Sequence, residues 1–226
     1  MAYKVVCISA ADGAMGEEIG PQVAGELGFR LVSDQIVVRA ADEAGVQAHV
    51  VADVEQRGSM VDRVIGQLFG RAAAADVAYG FGAPVVVDPE PPGDNLRGLI
   101  RTVIEEIASS GDAVIVSHAA SHALANRADT LRVLITAGPD TRAARLRTAR
   151  KVSEKEAQKL VARGDKNRAD YIKRFYEVSA ELPTHYDIVL NSDRLSPDQA
   201  ADIIVRTASA DPASAPISEA PARHIS

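Results

Sequence analysis

The chain has 226 residues, 46% of them apolar, enough to bury a substantial core in one large domain or two small ones. Aromatic residues make up only 4% and Trp is absent, so that core must be built from Ala, Val, Leu and Ile. A formal net charge of −6 argues against general nucleic-acid binding, and no apolar run reaches the roughly 18 residues that a membrane span needs.

The N-terminus, MAYKVVCIS, opens on a buried strand and lacks the regions of a signal peptide. Cys7 is the sole cysteine, so it forms no internal disulfide and reads as an inert buried thiol; a cytoplasmic location is expected. Residues 16–28 place Ile19, Val23 and Leu27 at helical spacing, with Gly28 as the stop. Pro21 predicts that this helix begins late or bends. A short extended piece follows, leading into a helix near Asp34, a good N-cap. Residues 49–92 predict a helix with Val61, Val64, Ile65 and Leu68 on one face, then a Gly- and Pro-rich loop over 79–95 suited to a partner contact. NLRGLIRTVIEEIASSG predicts an amphipathic helix capped by Asn95, with Leu96, Leu99, Ile100, Val103, Ile104 and Ile107 inward.

Three further apolar runs, DAVIVSH, LRVLITA and YDIVLNS, read as buried strands. Helical segments are expected at about 119–127, 139–176 and 196–208. Strands alternating with helices imply an α/β fold: three layers, a parallel sheet with helices on both faces. From about residue 209 Ala, Ser and Pro dominate without periodicity, so a single domain over 1–208 and a disordered tail over 209–226 are expected.

The stretch VVCISAADGAMGEEIG has the outline of a strand, a phosphate-cradling loop and a helix. Such a loop aims consecutive backbone N–H groups at phosphate oxygens, at a helix N-terminus with partial positive charge, and glycines permit the left-handed backbone it requires. Here the loop reads Gly13, Ala14, Met15, Gly16, Glu17 and Glu18. It has no lysine, and Met15 would be strained if its position requires a positive φ. Glu17 and Glu18 also suit a helix first turn for their dipole interaction alone. Farther on, residues 142–174 are strongly basic, which suggests a local anionic ligand. Arg142, Arg145, Arg147 and Arg150 recur at helix spacing, followed by Asp165, Lys166, Arg168 and Tyr171; a solvated basic face is the alternative for this segment. Ser117, His118, Ser121 and His122 end a buried strand, where open α/β sheets place ligands or simply cap the next helix. No three-ligand metal site is visible.

The order of these pieces, and above all DKNRADY followed by YDIVLNSDRLSPDQAADII, resembles the cytidylate-kinase-like family of nucleoside monophosphate kinases over roughly residues 4–207. The resemblance implies a P-loop fold with a helical lid over about 142–176. It implies transfer of a phosphoryl group from ATP, with Mg²⁺, to a nucleoside monophosphate, CMP being the family's substrate. It makes Arg142, Asp165 and Arg168 the catalytic candidates and Gly13, Ala14, Met15, Gly16, Glu17 and Glu18 the nucleotide loop. Asp34, Ser117, His118 and Tyr171 become the acceptor-side candidates. Family members commonly read G-S-G-G and a basic residue where this chain has Gly13 to Glu17, and Gly-Arg-Gly where it has Ser117, His118 and Ala119. The alternatives are a non-catalytic protein of the same fold that binds a nucleotide or another phosphorylated small molecule, and a protein-interaction module. The expected ligand class is a nucleotide or phosphorylated small molecule, with room for a protein partner.

Overall fold

The computed structural model describes residues 3–33, 92–116 and 119–210. These form strands β1 (Val5–Ala10), β2 (Arg30–Val32), β3 (Ala113–Val116), β4 (Thr130–Thr136) and β5 (Ile188–Asn191). The helices are α1 (Gly16–Leu27), α2 (Pro92–Ser110), α3 (Ala120–Ala123), α4 (Pro139–Arg150), α5 (Glu154–Tyr176) and α6 (Pro197–Ser209), with a 3-10 turn at Pro183–His185. The strands pair in the order β2-β3-β1-β4-β5, all parallel. The register sets Cys7 beside Ile115 and Arg132, and Leu134 beside Val189.

Alternation along the strands makes the three layers. Val5, Cys7, Ala113 and Ile115 face one side, where Ile100, Val103, Ile104 and Ile107 of α2 cover them. Val6, Ile8, Val114, Val116, Leu131, Val133 and Ile135 face the other side, against Ile19 and Val23 of α1 and Ala201 and Ile204 of α6. Burial on both faces explains why the strands read as continuous apolar runs. Cys7 is fully buried, and burial pushes its thiol up to about 12.

The helix ends follow local chemistry. Gly28 takes a left-handed φ of 68° and closes α1 by donating to the carbonyls of Ala24 and Gly25. Ser196 and Gln199 form a reciprocal capping box at α6, at 3.2 and 3.1 Å. Asp187 ties the start of β5 to β4 by accepting from the Arg132 backbone N–H at 2.8 Å and from its guanidinium at 2.7 and 3.1 Å.

Several expectations need correction. α1 does not begin late: it starts at Gly16, and Pro21 sits inside it, leaving the Glu17 carbonyl without its intrahelical donor. α2 begins at Pro92, a turn before Asn95, so Asn95 does not cap it. The helix expected over about 119–127 is only Ala120–Ala123. The lid is not one helix over 139–176. Lys151 turns left-handed (φ 53°), and Ser153 starts a new helix by accepting from the Glu156 N–H. Expectations for residues 34–91, including Asp34 and most of the 79–95 loop, lie outside the described residues. So do those for Ser117, His118 and residues 211–226.

Candidate functional site: a cleft over a lysine-free phosphate loop

β1 runs out at Ala10, and the chain crosses to α1 through residues 11–15. Gly13 (φ 77°) and Met15 (φ 73°) both adopt the left-handed conformation, and the Met15 carbonyl accepts from the Ile19 N–H. Gly13 is required twice over, because a Cβ there would come 2.8 Å from the Arg142 carbonyl oxygen. Gly16 packs so closely on β1 that a Cβ would meet Ala10 Cβ at 2.5 Å. The loop is also stapled from outside. Arg145 donates to the Gly13 carbonyl at 3.0 Å and to Ser192 Oγ and O at 3.0 and 2.7 Å. Ser192 Oγ in turn lies 3.1 Å from the Ala14 carbonyl oxygen. The main chain of a phosphate cradle is therefore built and braced. Its first helical turn presents Glu17 and Glu18, both exposed.

Two arginines stand over the strand ends. Arg142 of α4 is buried and forks onto Asp165 of α5, with Nη1 to Oδ1 at 2.7 Å and Nη2 to Oδ2 at 2.5 Å. Arg168 of α5 forks in the same way onto Glu181, at 2.8 and 2.6 Å. The Tyr186 hydroxyl also donates to Glu181, and His122 Nε2 lies 3.8 Å from it. Burial acts to raise the Glu181 pKa, but the Arg168, His122 and Tyr186 donors outweigh it and hold the carboxyl well below the usual range. Burial and the same carboxylate push the Tyr186 phenol up. Beneath this cluster the buried hydroxyls of Ser9 and Ser121 lie 3.0 Å apart. Lys166 instead pairs with Asp170 on the exposed face of α5.

The space above these groups is one cleft in three adjoining parts. A cavity of about 310 Å³ lies between Thr136, Arg142, Asp165, Arg168 and Glu181. A second, of about 380 Å³, is lined by Asp12, Glu17, Arg150, Arg163, Arg168 and Tyr171. A third, of about 280 Å³, lies against Gly13, Met15, Glu17, Glu18, Arg145 and Arg150. Thus Gly13, Met15, Gly16, Glu17 and Glu18 surround one part, while Ala14 is buried beneath them. Arg142, Asp165 and Arg168 meet at another, and Tyr171 lines the middle. Asp34, Ser117 and His118 lie outside the described residues. Composition and spacing did not single out Glu181, Tyr186 or Ser9. Ser9 meets Ser121 from 112 residues away, and even Glu181 and Tyr186, five residues apart, follow no helical or strand period that would mark them as a pair.

The backbone suits a phosphate, but no lysine reaches it, no hydroxyl follows Gly16, and Glu17 and Glu18 stand where the triphosphate charge would fall. Among the described residues no cluster of three His, Cys, Asp or Glu is placed to hold a metal. The loop side chains do not fit Mg·ATP in the manner of a lysine-bearing loop.

A parallel 2-3-1-4-5 sheet, a glycine loop leading from β1 into α1, and a two-helix basic flap define a P-loop kinase fold. Within that class the chain belongs to the cytidylate kinase-like family, whose model matches residues 5–194. Among solved structures it is similar to an uncharacterised protein from Eubacterium ventriosum, 17% identical, with a TM-score of 0.61 over 89% of this chain and 96% of that one. It is also similar to a shikimate kinase from Bacteroides thetaiotaomicron, 16% identical, with a TM-score of 0.50 over 91% of this chain and 98% of that one. At such identities the likeness is one of fold. No curated protein matches the sequence significantly. No described helix is long and apolar enough to cross a membrane.

Proposed function

We propose that this chain binds a nucleoside phosphate in the cleft, with the phosphate between the loop main chain and Arg142. The observation that supports this reading is that Arg142, whose backbone packs against the left-handed Gly13, lines the same cavity as Ala11 at the start of the braced loop. Arg suits the task because its fork matches two phosphate oxygens. Within this reading Asp165 and Arg168 shape the acceptor side and Tyr171 walls the middle of the cleft.

A second reading is phosphoryl transfer from a nucleoside triphosphate to a nucleoside monophosphate. It is favoured by the basic hairpin α4–α5, which supplies Arg150 and Arg163 to the cavity beside Glu17. Cations in such positions stabilise spreading phosphoryl charge and exclude water. ATP and Mg²⁺ would belong to this second reading alone.

Calorimetry with CMP and with ATP·Mg, followed by a turnover assay, tests both. The first reading expects CMP to bind and Arg142→Ala to weaken it roughly 100-fold, the scale of a lost charge-assisted bidentate contact. It expects ATP·Mg to bind feebly. Formation of CDP, abolished in Arg168→Ala, would establish the second reading. If neither CMP nor ATP·Mg binds at millimolar concentration, both readings fail.

A further inference from the structure

Both arginine forks over the strand ends are occupied by carboxylates, but the two pairs are not equivalent. Arg168 and Glu181 are each 21% exposed, and Glu181 is held from a second direction by Tyr186 and approached by His122. That carboxylate is locked. Asp165 is 48% exposed and has no hydrogen-bond partner but Arg142 among the described residues. Arg142 is the fixed member of this second pair. Its side chain is 6% exposed, its backbone abuts Gly13, and its buried Nε has no hydrogen-bond partner among the described residues. A buried guanidinium, on a residue whose backbone packs against the phosphate loop, thus turns its forked edge to the cavity that Asp165 lines. A half-exposed carboxylate, able to turn into water, covers that edge.

We propose that Asp165 is a displaceable stand-in for phosphate on Arg142. In the ligand-free protein its two oxygens satisfy the fork and neutralise a charge that would otherwise be buried alone. An incoming phosphate offers the same pair of oxygens with more charge, and Asp165 gives way. Arg168, locked by Glu181, does not exchange. Asp165 is therefore a specificity-setting residue: only a ligand that outcompetes a carboxylate opens the subsite. The inference rests on the proposed phosphorylated ligand, but not on that ligand's being a nucleotide.

The test uses the full chain, Asp165→Asn, and inorganic phosphate and CMP as probes. Calorimetry should give phosphate roughly tenfold tighter binding to the variant than to the wild type, because one competing carboxylate is gone. Phosphate should also raise the variant's melting temperature more than the wild type's. Glu181→Gln should show no such tightening. Equal or weaker phosphate binding by Asp165→Asn would overturn the proposal and leave Asp165 as a group that only positions Arg142. So would absence of phosphate binding to either protein. A second measurement needs no variant: a crystal of the wild type soaked in phosphate should show Asp165 turned away and phosphate on the Arg142 fork, and an intact pair there would overturn it. If phosphate binds as expected while CMP and ATP bind neither protein, the nucleotide reading fails and the role of Asp165 stands.

Discussion

Met15 concentrates the loop's conflict in one residue. It holds φ 73° without glycine's freedom, at a cost of about 1–2 kcal/mol. Its side chain offsets part of that by packing against the core beneath α1. Glu17 adds an electrostatic obstacle. A carboxylate about 6 Å from a phosphate opposes it by roughly 3 kcal/mol at an effective dielectric near 20. Because Glu17 is exposed, solvent will screen much of this, and about a tenfold effect on affinity is the realistic scale. The double variant Met15→Gly with Glu17→Lys should therefore bind ATP at least about tenfold more tightly in calorimetry. Unchanged affinity would show that the third part of the cleft does not receive the triphosphate. The conflict itself was legible in the sequence, because loop spacing put a non-glycine residue at a left-handed position. The bracing of the loop was not. Arg145 and Ser192 reach Gly13 and Ala14 from 132 and 178 residues away, and no local pattern announces such bonds.

At the scale of elements, the strands were easiest to read. Burial on both faces demands unbroken apolar runs, which composition shows directly. The division of the flap was harder. Basic residues at helix spacing run through 142–174, so periodicity suggests one rod, yet the structure breaks it at Lys151. The sequence carried the cue in Val152-Ser153, where a serine followed by Glu156 can start a helix afresh. Nothing local marks Lys151 as left-handed, since lysine rarely takes that conformation. A strained residue at this joint makes a prediction. Lys151→Gly should relieve up to about 1 kcal/mol and raise the melting temperature by a few degrees, while leaving the α4–α5 packing of Ala143, Leu146, Ala157 and Val161 intact. A fall in melting temperature would mean that the left-handed turn does not limit stability, or that glycine's added freedom in the unfolded chain prevails.

For the whole molecule, the Glu181 cluster joins three parts of the chain at one carboxylate. Arg168 comes from the flap, His122 from the helix after β3, and Tyr186 from the entry to β5. Beside the Arg145 bonds to Gly13 and Ser192, this carboxylate is a second tie between the flap and the body, and its protonation should be felt in global stability. The sign follows from the direction of the shift. Glu181 titrates near 4.5 when unfolded and well below that when folded, so the unfolded chain binds its proton first as pH falls. Its contribution is fully present above about pH 4.5 and drains away as the medium becomes more acidic. Glu181→Gln should cost about 2–3 kcal/mol at neutral pH, since it leaves the Arg168 charge without its partner in a partly buried site. The melting temperatures of wild type and variant, followed from about pH 7 to about pH 3, should then converge as the wild type loses what the variant never had. Asp129, held down by Arg127, shifts in the same direction but is common to both proteins, so it cancels in the difference. Parallel curves would mean that the Glu181 charge adds no tie between the flap and the body. A variant equal to wild type at neutral pH would mean that the cluster adds no net stability, leaving the alignment of Arg168 as its remaining role.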